Sequence, residues 1–415
     1  MNIKQLRIIQ SNFLHELQDA QDGKKTSLPF IVHEIPSSSL VKEGELFEVL
    51  VIGGSIWKKA ILQKTKTGIG IIKKETERSV DFKNEKDFLE FIDNEAKDNI
   101  QVLALNFAYP LKPIFKNGRL DGKLLAVSKE RSFHGLIGKK IGFEIEKYIL
   151  EKRKKSREAG SRFARKIIVS LANDTICLLL SGLIKYSFDS LAAGIVGTGL
   201  NFAFFLNKNR LVNLESANFD KFPKTAEGQI IDKESNNPHG WVFEKETAGA
   251  YLYKHFNILI KDRKIDYPAI SSTEELNRIS LGQGYSSSEV SPKADESRSL
   301  IDDSSRLTSF ARTITNPEAS QIARALLKRS AQLVACQIAG VVEFKNPSPS
   351  PSPLEGEGRD EEVGMVFNME GSLFWKGNNY KTIVQETLKQ LVPKYNVRFV
   401  EIKDSGILGA AKLVS

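Results

Sequence analysis

Two glycine-centred turns, in separate halves of the chain, have residue types that can bind phosphate. Each follows an apolar run, 46–52 for the first and 192–196 for the second. Glycine lets backbone N–H groups approach a phosphate closely, and a neighbouring hydroxyl adds a further donor. An ordinary hairpin is the alternative for either turn taken alone, and no Walker loop pattern is present. The candidate phosphate-binding residues are Gly53, Gly54, Ser55, Gly197, Thr198 and Gly199.

A carboxylate follows the apolar run 167–171, where the sequence reads Asn173, Asp174, Thr175. At the end of a strand such a carboxylate can face a cleft, orient a substrate hydroxyl and accept its proton. Phosphoryl transfer requires little else of such a side chain. The alternative is a helix N-cap, because Asn and Asp both favour that position. The residues alone leave both interpretations open.

The composition is that of a globular chain with more than one domain. The 415 residues include 41% hydrophobic and 27% charged residues, and a single core rarely grows beyond about 250–300 residues. The net charge of +9 comes from scattered basic residues, and their one dense cluster, 152–157, interrupts a helical pattern. We therefore expect a solvated helix end at this cluster and no nucleic-acid surface.

Cysteine usage indicates a reducing compartment, and hydropathy predicts neither a signal peptide nor a membrane-spanning segment. Cys177 and Cys336 lie far apart among apolar residues, which supports neither a disulfide framework nor a zinc site. The N-terminal residues have no signal-peptide core, and the apolar stretch 191–206 is too short and too rich in glycine to span a bilayer. We expect a cytoplasmic protein that contacts no membrane.

Strand-like and helix-like segments alternate in two batches, which indicates an α/β protein with a cleft between two domains. The patterns predict strands at 46–52, 56–62, 101–107, 167–171 and 192–196, and helices over 3–20, 86–97, 138–152, 244–260, 319–342 and 380–391. Residues 271–310 are rich in Ser, Glu and Asp, and we expect a mobile excursion there. Residues 346–364 contain a Pro/Ser repeat and are expected to form a disordered insert.

A series of short motifs runs along nearly the whole chain. It consists of Asn106-Phe107-Ala108-Tyr109-Pro110, Ser128-Lys129, Asn173-Asp174-Thr175, Gly197-Thr198-Gly199-Leu200-Asn201, Val212-Asn213-Leu214-Glu215, Phe243-Glu244-Lys245 and Gly371-Ser372-Leu373-Phe374. The order of these motifs resembles that of the hexokinase family. Each match is short, and it is their common order that makes the resemblance specific.

The resemblance implies a two-domain α/β fold of the actin-like, ribonuclease-H-like type, with a substrate cleft between the domains. The implied organisation is an N-terminal helical segment, 1–44, that packs on the large domain, then a small domain, 45–170, and a large domain, 171–415. The implied activity is ATP-dependent phosphorylation of a hexose, glucose above all, at the 6-hydroxyl, as the first step of glycolysis. ATP and Mg²⁺ are the implied cofactors, and a monomer is expected.

The roles that the resemblance implies follow the matched motifs. Asp174 is the expected catalytic base, and Lys129 is expected to place a cation near the transferred phosphoryl group. The expected sugar-binding residues are Ser128, Lys129, Asn173, Asp174, Asn201, Glu215 and Glu244. The expected ATP-binding residues are those of the two glycine-centred turns together with Ser372, Ser405 and Gly406. No side chain is predicted to be a metal ligand.

Some positions depart from the family pattern, mostly on the nucleotide side. Val51 stands where the family's first hairpin has an Asp that helps to position hydrated magnesium, and valine offers no oxygen ligand. Ile56 and Lys58 replace that hairpin's Asn and Arg. Ala108 lacks the hydroxyl of a sugar-side serine, and Ile407 replaces a glycine that lets the nucleotide approach. An active hexose kinase and a sugar-binding relative with weak or no phosphoryl transfer both stay open, whereas the retained sugar-side residues disfavour an actin-like ATPase.

Overall fold

The computed structural model of the protein describes residues 1–36, 38–53, 56–78, 80, 82–96, 100–125, 134–158, 166–283, 316–346 and 364–415. The strands are β1 (Ile31–Glu34), β2 (Leu46–Ile52), β3 (Ile56–Thr65), β4 (Gly68–Arg78), β5 (Val102–Phe107), β6 (Leu111–Lys116), β7 (Arg119–Leu124), β8 (Ile168–Ala172), β9 (Leu191–Val196), β10 (Leu200–Asn207), β11 (Arg210–Asn213), β12 (Gly364–Glu370) and β13 (Asn396–Val400). The α-helices are α1 (Ile3–Gln21), α2 (Glu85–Glu95), α3 (Ile141–Glu158), α4 (Asp174–Gly182), α5 (Ala226–Glu234), α6 (Val242–Thr247), α7 (Gly249–Asp262), α8 (Thr273–Ser280), α9 (Pro317–Lys345), α10 (Ser372–Lys376), α11 (Tyr380–Leu391) and α12 (Ser405–Ala411).

Two mixed sheets form the framework, and their strands follow the same order. In the first sheet, the antiparallel strands β4, β3 and β2 are followed by β5 and β8, which run parallel to β2. In the second sheet, β11, β10 and β9 are antiparallel, β12 and β13 continue parallel to β9, and β1 adds an edge strand. This repeated order agrees with the ribonuclease-H-like halves that the resemblance implies.

The carboxyl ends of the parallel strands gather the candidate residues at shared edges. In the first sheet Ile52 pairs with Phe107, and Asn106 pairs with Ala172, so the turn after β2 and the start of α4 lie at one edge. In the second sheet Ile195 pairs with Glu370, which brings the turn after β9 beside the end of β12. Open α/β sheets bind ligands at this edge.

Helix α4 is packed between the two sheets, and its residues from Thr175 to Gly182 are all buried. It contacts β9, β10 and β12 of the second sheet and β5 of the first. The C-terminal helix α12 packs on α4 and also contacts β2, β3 and β5, so the end of the chain lies against the first sheet. Apolar side chains of these helices, among them Ile176, Cys177 and Ile407, share one hydrophobic cluster with residues of both sheets.

Helix α9 forms the centre of the second half of the molecule, where it packs against α1, α11, α8 and α7. By length and hydropathy it is the one helix among the described residues that could cross a membrane. Most of it is buried within the protein, however, as in the core helix of a globular domain. One such helix is weak evidence for a membrane role, because buried core helices have the same length and hydropathy.

Several predicted segments differ in detail from the structure. The N-terminal segment 1–44 contributes the strand β1 as well as a helix. The helix predicted over 244–260 is two helices, because Ala248 adopts an extended conformation between α6 and α7. The expected excursion 271–310 begins with α8, its residues 284–310 lie outside the described residues, and so do residues 347–363 of the Pro/Ser insert. The domain boundaries stay a prediction.

Replacement of Gly409 by alanine should destabilise the protein. A Cβ atom at Gly409 would overlap the backbone carbonyl group of Cys177, so α12 would have to move away from α4. Overpacking of this kind costs about 1–3 kcal/mol, and chemical denaturation should show it as a lower midpoint. Gly70→Ala is the matched control, because a Cβ there meets only ordinary contacts. Equal stability of both variants would contradict the packing of α12 described here.

The stability of the protein should fall in mild acid because of His33. Burial lowers the pKa of His33 from 6.5 to about 4, and its Nδ1 lies 3.0 Å from the Ile31 carbonyl oxygen. The unfolded chain then binds a proton below pH 6.5 that the folded chain binds only near pH 4. Between pH 6.5 and pH 4 the free energy of unfolding should therefore fall by about 3 kcal/mol. His33→Gln should flatten this part of the stability profile, whereas His15→Gln, at an exposed position, should not.

Candidate active site

The first element of the site is the junction between β8 and α4. Asn173 is the N-cap of α4, and its Oδ1 accepts a hydrogen bond of 2.9 Å from the backbone N–H of Thr175. Asp174 is the first residue of the helix, and its Oδ1 accepts from the Thr175 N–H at 2.8 Å and from the Thr175 hydroxyl at 3.3 Å. The N-cap interpretation is therefore confirmed for Asn173, whereas the catalytic role of the next residue, Asp174, stays a prediction.

A small cavity of about 90 Å³ opens at this junction. It brings together five of the predicted sugar-binding residues, which come from four separate segments of the chain. Its lining consists of Ala108, Tyr109, Pro110, Asn173, Asp174, Thr175, Ile195, Gly199, Leu200, Asn201, Glu215, Ala217, Trp241 and Glu244. The other two predicted sugar-binding residues, Ser128 and Lys129, lie outside the described residues.

A chain of side-chain hydrogen bonds orients one wall of the small cavity. The Nδ2 of Asn201 donates to Oδ1 of Asn213 at 2.7 Å, and the Nδ2 of Asn213 donates to Oε1 of Glu215 at 2.8 Å. Asn213 is fully buried, and Glu215 adopts a left-handed backbone conformation with φ of 48°. Asn213 was given no role by the sequence analysis, although it lies within a quoted motif. It fixes the position of two residues that line the cavity.

Glu244 links the small cavity to the second glycine-centred turn. It lies in the first turn of α6, and its Oε2 accepts a hydrogen bond of 2.9 Å from the backbone N–H of Leu200. A Cβ atom at Gly199 would come within 2.8 Å of the same oxygen. A side chain at position 199 would therefore displace this carboxylate from its present position.

A large cavity of about 800 Å³ lies on the other side of the same turn. Gly197 accepts a hydrogen bond of 2.7 Å from the N–H of Gly249, and a Cβ at Gly197 would lie 3.1 Å from the Cα of Gly371. The lining of the large cavity includes the three predicted nucleotide residues Gly197, Thr198 and Ser372. The rest of its lining consists of Gly249, Ala250, Tyr253, Ser271, Ser272, Thr273, Glu274, Glu275, Asn277, Arg278, Leu373, Lys376 and Gly377.

Four other predicted nucleotide residues, Gly53, Gly199, Ser405 and Gly406, are not part of the lining of this large cavity. Gly53 ends the first hairpin strand, where its N–H donates to the Ile56 carbonyl at 3.1 Å, and Gly54 and Ser55 lie outside the described residues. Gly406 accepts from the side chain of Asn106 at 3.3 Å at the start of α12. Ile407, which stands where the family has a glycine, is 1% exposed within the hydrophobic cluster around α4.

Glu370 is a functional candidate that the sequence analysis missed. It ends β12, next to Gly371, and its Oε2 accepts a hydrogen bond of 3.2 Å from the hydroxyl of Ser405. Part of the Glu370 residue is exposed to solvent, but its carboxyl group is largely surrounded by protein atoms. Burial raises the pKa of that carboxyl and the negative charge of Asp174 raises it further, while Lys58 and the Ser405 hydrogen bond lower it. The sequence feature that could have identified Glu370 is its position directly before the Gly371-Ser372 motif.

Val51 lies on β2 of the first sheet, close to the start of α12. It pairs with Asn106 in the first sheet, and a Cβ at Gly406 would come within 3.4 Å of its side chain. The hairpin strand therefore presents an apolar side chain toward α12. Within the described ranges, no group of three or more His, Cys, Asp or Glu side chains is arranged to hold a metal ion.

Comparison with known proteins gives consistent results. A sequence profile of the Hexokinase family matches residues 191–415. A hexokinase of Emericella nidulans is 22% identical over 456 residues, which cover 99% of this chain and 87% of the relative. Hexokinase-3 of Oryza sativa subsp. japonica is also 22% identical, over 80% of this chain and 67% of its own length.

Solved structures show the same fold. The hexokinase of Schistosoma mansoni complexed with glucose superimposes with a TM-score of 0.72 at 16% identity, over 100% of this chain and 95% of the other. A second hexokinase crystal structure gives a TM-score of 0.68 at 18% identity, over 100% and 96% of the two chains. The prediction of a two-domain actin-like fold is thus confirmed. The chain belongs to the hexokinase family, whose members are sugar kinases that transfer a phosphoryl group to an alcohol group.

Proposed function

We propose that this protein transfers the terminal phosphoryl group of ATP to the 6-hydroxyl of a hexose, with glucose as the first candidate. The observation that carries the proposal is the position of the turn 197–199. Gly199 lines the small cavity beside Asp174, whereas Gly197 and Thr198 line the large cavity. A sugar in the first cavity and a nucleotide in the second would therefore meet at one turn.

The small cavity has the chemistry that a sugar requires. A hexose offers several hydroxyl groups, each of which can donate and accept a hydrogen bond. The amides of Asn173 and Asn201 supply both functions, and the carboxylates of Glu215 and Glu244 accept. Because the Asn201–Asn213–Glu215 chain of hydrogen bonds already fixes this wall, little side-chain ordering is needed when the sugar binds.

Asp174 is the proposed catalytic base. The 6-hydroxyl oxygen attacks the terminal phosphorus, the bond from that phosphorus to the leaving oxygen of ADP breaks, and the hydroxyl proton passes to the Asp174 carboxylate. Thr175 donates two hydrogen bonds to Oδ1 of Asp174, which holds the carboxylate in one orientation. General-base assistance of this kind contributes about 10²- to 10⁴-fold to a rate.

Magnesium is the metal that the family implies, and when bound it would neutralise charge on the phosphates. Such sites usually employ one or two carboxylates together with phosphate oxygens and water. Asp174 and Glu370 would be the carboxylates available for this purpose, since the negative charge of Asp174 raises the pKa of Glu370. Val51 contributes no oxygen, so the first hairpin gives less support than the family pattern would.

The alternative is a sugar-binding protein with weak or no phosphoryl transfer, and Val51 is the observation that favours it. Both functions share the small cavity and differ only in turnover. The assignment to glycolysis, the monomeric state and the cytoplasmic location belong to the proposal as well, and each follows from the family resemblance and the cysteine usage rather than from the site.

Asp174→Asn should abolish turnover while it preserves sugar binding. The amide keeps the shape of the side chain and cannot accept the hydroxyl proton, so kcat should fall by at least about 10²-fold. A coupled assay of ADP release with ATP, Mg²⁺ and glucose measures this, and a glucose-dependent rise in the unfolding temperature reports binding. Asp262→Asn, at an exposed position, is the control. Undiminished turnover in Asp174→Asn would show that another group is the base.

Val51→Asp should raise kcat and reduce the Mg²⁺ concentration needed for half-maximal rate. The new carboxylate would face the start of α12 near Asn106 and Gly406, where the hairpin now presents an apolar side chain. Val51→Asn is the matched control, because it has nearly the same shape and no charge. If both variants have the same kcat and the same Mg²⁺ requirement, the loss of the hairpin carboxylate does not limit the rate of this protein.

A further inference from the structure

One of the three tryptophans has an environment unlike the other two. Trp57 is 4% exposed and packs edge-on against Phe91 with ring centroids 5.1 Å apart. The Nε1 of Trp375 donates to the Met369 carbonyl at 3.1 Å, and its ring contacts Phe374.

Trp241, by contrast, is half-buried in the wall of the small cavity. Within the part of the chain that the structure describes, its indole makes neither a hydrogen bond nor an aromatic contact. Its neighbours in the protein therefore do not explain why an indole is present there.

The backbone of Trp241 is held in a conformation that bulky residues rarely adopt. Its φ and ψ angles are 49° and 39°, in the left-handed region. Residues in this region persist only where the surrounding structure fixes them, and they are concentrated at functional sites. The backbone N–H of Trp241 donates to Oδ1 of Asn218 at 3.3 Å, and the Nδ2 of Asn218 donates to the backbone carbonyl of Glu215 at 3.1 Å. The fold thus holds Trp241 in the cavity wall with a backbone conformation that its residue type disfavours.

The small cavity has one polar and one apolar group of lining residues. The polar group contains Asp174, Glu215 and Glu244, and the apolar group contains Ala108 and Trp241 among others. A pyranose ring has the matching division, because its equatorial hydroxyl groups lie around the edge and its axial C–H bonds cover both faces. An aromatic ring packs well against such a face, while the hydroxyl groups reach the polar side chains.

We propose that Trp241 is the platform on which the pyranose ring of the substrate stacks, and that it selects sugars whose hydroxyl groups on the stacked face are equatorial. This inference rests on the proposed function, since it assumes that the small cavity binds a hexose. An epimer with an axial hydroxyl on the stacked face would press a polar group against the indole and lose contact area. Glucose, which has no axial hydroxyl on its ring carbons from C2 to C4, fits the platform.

Calorimetric titration of Trp241 variants with glucose tests the proposal. Trp241→Asn should bind glucose about 5- to 10-fold more weakly, and Trp241→Phe should lie between this variant and the native protein. Asparagine tolerates the left-handed conformation, so the unfolding temperature of Trp241→Asn should not decrease. Tyr186→Ala is the matched control, because Tyr186 is also half-buried and lines neither cavity. Unchanged glucose affinity in Trp241→Asn would overturn the proposal.

Titration with the C2, C3 and C4 epimers mannose, allose and galactose provides the second measurement. The axial hydroxyl of mannose or galactose lies on one face of the ring, and that of allose lies on the other. The native protein should therefore discriminate against epimers of one face, and Trp241→Asn should lose that discrimination. A discrimination that is the same in both proteins would overturn the proposal even if affinity falls.

The proposed function and the role of Trp241 can be disproved separately. If the native protein binds and phosphorylates glucose but Trp241→Asn has the same affinity and selectivity, only the role of Trp241 is wrong. If the native protein binds no hexose at all, the proposed function and the platform are both wrong.

Discussion

The end of β8 and the start of α4 meet at the Asn173 side chain, and the rest of the site depends on this junction. β8 belongs to the first sheet, whereas α4 is buried against β9, β10 and β12 of the second. An N-cap contributes only about 1 kcal/mol. The position of Asp174 is therefore secured mainly by the apolar side chains of α4, which pack with α12 in a cluster shared by both sheets. Packing of the core thus determines where the carboxylate lies.

Close backbone approach is the second constraint on the site. A side chain at Gly197 would crowd Gly371, and a side chain at Gly199 would collide with the Glu244 carboxylate. Glycine permits these contacts, so residues of one short turn can line both cavities. Left-handed residues complete the arrangement, since Glu215 and Trp241 both line the small cavity with positive φ angles. Two of the eight described non-glycine residues with positive φ therefore line the cavity where the sugar is proposed to bind.

Much of the fold and part of the site could be predicted because their signals are local. Apolar runs that end in Gly197 or Asn173 mark strand ends, and motif order indicated which of these ends converge. Glu370 was missed because only the pairing of β12 with β9 brings it toward Asp174. The burial of Ile407 could not be predicted, because a glycine-rich segment does not reveal which side of its helix faces inward. Trp241 was missed because the cavity that it lines forms only in the folded chain, which no spacing pattern can show.

The central claim is that the protein transfers the terminal phosphoryl group of ATP to a sugar, with Asp174 as the base. Phosphorus-31 nuclear magnetic resonance of the protein with ATP, Mg²⁺ and glucose tests it most directly, because the method distinguishes a sugar phosphomonoester from inorganic phosphate. The account predicts ADP and a sugar phosphate in equal amounts, with neither formed when glucose is omitted. Inorganic phosphate as the main product, or ATP that stays intact while glucose is bound, would contradict it.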